Sequence, residues 1–176
     1  LVFPHTRHTW SSMAAAARRR ASGLYALGIR RGDHVGVLMP NCPEYLEFVY
    51  GCALIGAVAV LMNARYKASE LAYVIENADL RLLVTTDLIS EYADFGALVH
   101  AALPELAART AAEDQARQPL ALAAVPELRH LVMLGDSTPR GFLRADEFDL
   151  LSDEDAPIDA LRAAVRLSAP AIMMYT

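Results

Sequence analysis

Four groups of side chains have the types that chemistry needs. Asp146, Glu147 and Asp149, with Asp153, Glu154 and Asp155, crowd carboxylates into one short stretch, and carboxylates are the donors a hard divalent cation prefers. Their spacing does not match a calcium loop, so the stretch reads as a solvated acidic loop. His34, His100 and His130 carry the side chain best suited to moving protons near neutral pH. No Ser, Cys or carboxylate stands in a telling relation to any of them, and each reads as structural or surface histidine. Cys42 and Cys52 lack the close pairs and accompanying histidines of a zinc site, and read as small core hydrophobes. Arg18, Arg19 and Arg20 could grip an anion, but consecutive residues point in three directions around a helix, which favours a solvated role. No G-x-G-x-x-G, complete phosphate loop, H-E-x-x-H or G-x-S-x-G is present.

The elements that must position any site are clearer. Met13, Ala17, Ala21, Leu24 and Leu27 recur at helical period after Thr9, with Gly28 as a left-handed stop. Arg31-Gly-Asp33 forms a turn, and His34 to Met39 is a short apolar run that predicts a buried strand. Asn41, Pro43 and Glu44 predict a helix start capped by Asn41. That helix runs to about Gly56 and should bury Leu46, Val49, Cys52 and Ala53, with Phe48 beside them. Ala57 to Met62 is a second strand, Asn63 to Tyr66 a loop, and Leu71, Val74, Ile75 and Ala78 the stripe of a third helix. Arg81 to Thr85 is a third strand, residues 88–103 a helix, and Leu131 to Leu134 a fourth strand. Residues 107–124 read as surface helix or loop, and 135–155 as a solvent-facing excursion. Strand and helix alternate, so the fold class expected is α/β, a layered and mostly parallel sheet flanked by helices.

Composition bounds the function. The 176 residues are 55% hydrophobic and suffice for one domain that buries roughly 70% of its unfolded surface without disulfide or metal. Sixteen basic against 21 acidic residues, net charge −5, argue against nucleic-acid binding. The longest uncharged apolar run, Phe48 to Met62, is shorter than the roughly 18 to 20 residues of a membrane span. The opening LVFPHTRHTW is unlike a signal peptide, so a cytoplasmic location is expected; no initiator Met is present, and the true start is open. At the other end, Ala169 to Thr176 is an apolar strand-like run that stops without turn or cap. An exposed strand end invites aggregation, so a fragment is expected.

Three blocks carry a family resemblance. Gly32 to Glu44, Gly56 to Tyr66 and Glu70 to Ile75 closely resemble the amino-terminal region of acyl-CoA synthetases, members of the adenylate-forming superfamily. Thr9-Trp10 and Leu24 to Gly28 are similar to that family's first helix. The likeness covers about Thr9 to Val84 and resumes at Ala169 to Thr176. It implies a partial amino-terminal domain over 1–176: an α/β subdomain at 1–134, an excursion at 135–168, and a strand at 169–176 leading into a phosphate-binding loop.

The resemblance also implies the chemistry. A carboxylate attacks the α-phosphorus of Mg-ATP to give an acyl adenylate and pyrophosphate, and the thiol of CoA displaces AMP. ATP, Mg and CoA are therefore the implied cofactor and cosubstrates, and a carboxylic acid the small-molecule partner; a homodimer is left open. Thr176 matches the first residue of the Ser/Thr/Gly-rich loop whose N–H groups, hydroxyls and lysine wrap the ATP phosphates. The metal-binding Glu, the ribose-binding Asp, the adenine pocket and the mobile lysine are implied to lie past Thr176, so no catalytic or metal-binding residue is assigned and the 176 residues alone are expected to be inactive. Asn63 and Arg65 match the family's post-strand block and read as loop anchors, with Tyr66 and Lys67 beside them; Tyr73 reads as helix packing. Ala64 to Lys67 look more like ligases of fatty, alicyclic or aromatic acids than like adenylation domains that load a carrier protein. That second reading, and a non-catalytic binding module, stay open as alternatives.

Overall fold

Thr9 opens the first helix because its side chain replaces a lost backbone partner: the hydroxyl accepts from the Ser12 N–H at 3.0 Å. Helix α1 (Trp10–Ala26) ends before Gly28, which takes φ 85°. The computed structural model describes residues 1–3, 6–88, 93–109, 118–137 and 139–175. Strand β1 (His34–Leu38), helix α2 (Pro43–Ile55), strand β2 (Val58–Leu61), helix α3 (Ala68–Asn77) and strand β3 (Leu80–Thr86) follow in order. Helices α4 (Phe95–Ala102) and α5 (Pro104–Ala107) precede strand β4 (His130–Leu134). Strand β5 (Phe142–Arg144), helices α6 (Ala145–Asp149) and α7 (Ile158–Ala163), and strand β6 (Ile172–Met174) complete the described chain.

The expected α/β class holds, and the six strands of the described residues are parallel in the order β5-β4-β3-β1-β2-β6. The winding follows one rule. Connections that travel from β1 to β2 and from β5 to β6 place α2, α6 and α7 on one face, against α1. Those that travel the opposite way, from β2 to β3 and from β3 to β4, place α3, α4 and α5 on the other. Direction and face reverse together, as they must when every parallel crossover keeps the same hand. Side chains alternate to fill both cores: Leu131 and Met133 of β4 join Val74, Ile75 and Phe95, whereas Val132 and Leu134 join Phe48, Ile55 and Phe148.

The α1 and α2 helices meet closely because the contact is lined by small residues. A Cβ on Gly51 would crowd the Ala17 carbonyl and Ala21 nitrogen, and one on Gly23 would run into the Phe148 ring. Arg20 ties this layer together. Its Nε donates to Glu47 Oε2 at 2.9 Å, its Nη1 pairs with Asp149, and its guanidinium lies 5.3 Å from the Phe48 ring centroid.

Four expectations are corrected. The residue that caps α2 is Cys42, with no side-chain cap bond, rather than Asn41; Pro43 and Glu44 still supply the favoured first turn. Helix α2 buries Glu47, Phe48, Gly51, Cys52 and Ile55, because packing against both α1 and the sheet rotates Leu46 and Val49 to the margin and Ala53 to solvent. Among the described residues of 88–103 the helix spans Phe95–Ala102, where the Asp94 side chain caps the Ala97 N–H at 2.8 Å; 89–92 lie outside the described residues. Residues 135–155 are more than a solvent-facing excursion, since Phe142, Leu143 and Phe148 are buried and β5 extends the sheet. Three large apolar side chains among the turn formers and carboxylates decide that outcome.

One turn depends on a missing side chain. Gly135 follows β4 at φ 116°, and a Cβ there would overlap the Asp87 carboxylate, which accepts from the Asp136 N–H at 3.2 Å and the Ser137 N–H at 2.6 Å. Gly135→Ala is therefore expected to lower unfolding free energy by about 3 kcal/mol, from backbone strain plus the clash, as read by urea denaturation; a loss under about 0.5 kcal/mol would show that the turn relaxes freely.

Candidate functional site

In an all-parallel sheet every strand points its carboxyl end at the same edge, and ligands of such sheets bind in crevices along that edge. Here the edge is formed by residues 39–42 after β1, 62–67 after β2, Asp87 after β3, 135–137 after β4 and Tyr175 after β6. Side-chain hydroxyls close its middle. Thr85 Oγ1 donates to the Leu38 carbonyl at 2.7 Å, and Thr86 Oγ1 to the Leu134 carbonyl at 3.1 Å, so the ends of β1, β3 and β4 are cross-tied.

The decisive neighbours are β2 and β6. Their register sets Ala59 against Ile172, Val60 against Met173 and Leu61 against Met174. The loop after β2 and the residues after β6 therefore emerge side by side, which joins the two separated blocks that the sequence singled out. Asn63 behaves as a turn asparagine: its Oδ1 accepts from the Arg65 N–H at 3.0 Å, and its carbonyl from the Tyr66 N–H at 3.1 Å. Lys67 caps α3 through its backbone, its N–H donating to Glu70 Oε2 at 2.7 Å. Asn63, Arg65 and Lys67 are exposed, and Tyr66 packs partly into the core. Tyr73, read as helix packing, is instead 59% exposed and meets the Tyr175 ring. Thr176, the expected phosphate contact, lies outside the described residues.

The other candidates are placed as follows. His34 Nδ1 donates to the Ala78 carbonyl at 2.6 Å, and His100 Nε2 to the Arg140 carbonyl at 2.9 Å, so both brace backbone. His130 is buried at the start of β4. Burial, and secondarily the Arg129 charge, hold its pKa below the ordinary value. Burial pushes the thiols of Cys42 and Cys52 up to about 12, which leaves them protonated and unreactive at neutral pH. Three carboxylates of the acidic stretch have partners: Asp146 pairs with Arg144 at 2.6 Å, Asp149 with Arg20 of α1, and Asp153 Oδ1 accepts from the Asp155 N–H. Among the described residues, no group of three or more His, Cys, Asp or Glu side chains could hold a metal ion. None of the described helices is long and apolar enough to cross a membrane.

Two features escaped the sequence reading. Arg18 forks onto the exposed Asp159 at 2.7 and 3.1 Å, and Arg20 is the partly buried hub of α1, α2 and α6. Their partners lie far along the chain, so no local pattern marks them. The model of the family described as AMP-binding enzyme matches residues 1–176. The acyl-CoA ligase sidI of Aspergillus fumigatus is 39% identical over 94 residues, 52% of this chain and 16% of that protein. A crotonobetaine/carnitine–CoA ligase of Salmonella paratyphi B is 40% identical over 78 residues, 44% of this chain and 15% of its own length. The matched stretches thus cover under a fifth of either relative's length. Among solved structures, the N-terminal domain of FACL13 from Mycobacterium tuberculosis superposes with TM-score 0.63 at 26% identity, covering 97% of this chain and 35% of that one. Coronafacic acid ligase from Pectobacterium brasiliense shares the fold, with TM-score 0.69 at 17% identity over 97% of this chain and 29% of its own.

Two tests follow from the buried groups. Folded His130 stays neutral at pH values where an unfolded imidazole, with pKa near 6.5, takes up a proton. Stability owed to it is complete above pH 6.5 and is lost as pH falls through that value toward the depressed folded pKa. Unfolding free energy should therefore fall more steeply between pH 7.5 and 5 in the wild type than in His130→Phe, by up to about 1.4 kcal/mol per pH unit; equal slopes would remove His130 from the account. In the native protein at pH 8, Ellman's reagent should label neither Cys42 nor Cys52 within minutes and both after denaturation in urea.

Proposed function

Because the chain belongs to the AMP-binding enzyme family, we propose that its 176 residues form the amino-terminal part of an AMP-forming acid–CoA ligase. The reaction is carboxylate plus ATP to acyl adenylate and pyrophosphate, followed by attack of the CoA thiol and release of AMP. Catalysis of that kind rests on positioning the carboxylate in line with the α-phosphorus and on neutralising phosphate charge. The observation that carries the reading is the parallel pairing of β2 with β6, which brings the Asn63 to Lys67 loop beside Tyr175 at the carboxyl edge. An apolar strand delivering the chain to that edge is the geometry in which backbone N–H groups of the next turn can face phosphate oxygens.

The share of the work done by these residues is support. Helix α3 and the Asn63 turn hold the loop after β2, and β2 holds β6. Thr176, the residue after Tyr175, is the proposed first phosphate contact. Among the described residues no three His, Cys, Asp or Glu side chains gather in a way that could hold a metal ion, and no Mg ligand is assigned to them. We assign the acid substrate to the fatty, alicyclic or aromatic class on the Ala64 to Lys67 segment, and the acceptor to CoA rather than a carrier protein on the same segment.

The full-length protein carrying this chain should catalyse carboxylate-dependent exchange of pyrophosphate into ATP, and form acyl-CoA when CoA is added. Residues 1–176 alone should catalyse neither. A hydrogen bond to a charged group is worth about 1.5 to 3 kcal/mol, so Thr176→Ala should lower kcat/KM for ATP by about 10- to 100-fold. Exchange by the isolated 176 residues, or none by the full-length protein across fatty, alicyclic and aromatic acids, overturns the assignment.

A further inference from the structure

Strand β6 joins the sheet through β2, its partner among the described strands, over three residues.

Tyr175 ties the end of that strand to α3. Its hydroxyl donates to Asn77 Oδ1 at 2.8 Å, and its ring meets the Tyr73 ring edge-on, with centroids 6.4 Å apart and planes at 90°. Tyr73 and Asn77 stand one turn apart on α3, so they grip the phenol at its ring and at its tip. The helix is a firm reference, since Leu71, Val74 and Ile75 are buried in the core between sheet and helices. Burial chiefly, then Tyr73, Asp79 and Tyr66, keep the Tyr175 pKa above its ordinary value, so the hydroxyl stays a donor at neutral pH.

We propose that Tyr175, latched to Asn77 and Tyr73 of α3, is a positioning residue that fixes where the chain leaves β6 and so where the ATP-phosphate loop begins. The proposal rests on the ligase reading given above. The latch acts from beside the loop, and a displacement of about 1 Å in a reacting geometry can cost as much as 100-fold in rate.

The test uses the full-length protein, pyrophosphate exchange and three variants. Tyr175→Phe keeps the ring and removes the donor, Asn77→Leu removes the acceptor, and Asn77→Asp keeps an acceptor. Tyr175→Phe and Asn77→Leu should each lower kcat/KM for ATP about tenfold while leaving KM for the acid within about twofold and Tm within a few degrees. Their combination should be no worse than either alone, since both cut one bond, and Asn77→Asp should restore most of the loss. If Tyr175→Phe exchanges like the wild type, or if Tm falls and acid KM rises together with the loss of ATP use, the positioning role is overturned and the ligase reading stands. If the wild type shows no exchange, the ligase reading falls and takes the proposal with it.

Discussion

A parallel sheet can be wound only if each return connection passes over a face, and the single hand of those crossovers governs this molecule. Travel in one direction across the sheet deposits helices on the α1 side, and travel in the other deposits them on the α3 side. With β1 at the centre, both faces are covered and every strand ends at one edge. The convergence of the Asn63 loop and Tyr175 is a product of that geometry, because β6 can rejoin the sheet beside β2 only by crossing the α1 face.

The α1 face is therefore where the packing is most demanding. Small residues let α1 and α2 approach, and the space left near Gly23 is filled by the Phe148 ring from α6. Arg20 then joins three helices through one guanidinium, its side chain only 16% exposed and that of its partner Glu47 only 10%. A pair so withdrawn from water adds little net stability over an apolar substitute, but it tolerates few alternative arrangements, so it fixes how the layers register. The α3 face is secured more simply, by aliphatic stripes and the Phe95 and Phe142 rings.

Much of this was legible in the residues. The helical stripe of Leu71, Val74, Ile75 and Ala78, the runs that became β1 to β4, and the stops at Gly28 and Gly56 all follow from period and backbone preference. The cap of α2 was misread because Asn41 outranks Cys42 in intrinsic capping strength, whereas the actual boundary is set by tertiary packing that buries Cys42. Strand β5 was hidden in a polar stretch where only Phe142, Leu143 and Phe148 signal burial. The site was legible only as two unconnected blocks. Their adjacency is a fact of strand order, to which neither periodicity nor local propensity gives access, and the same holds for the bond from Tyr175 to Asn77.

The pairing of β6 with β2 also has a consequence in time. Its partners lie more than a hundred positions apart, so closing that contact costs more chain entropy than any neighbouring pairing in the sheet. During synthesis the outer side of β2 emerges long before the strand that will cover it, and must wait while β3, β4 and β5 assemble on the far side. The segment that delivers the chain to the carboxyl edge is thus expected to dock last among the described strands.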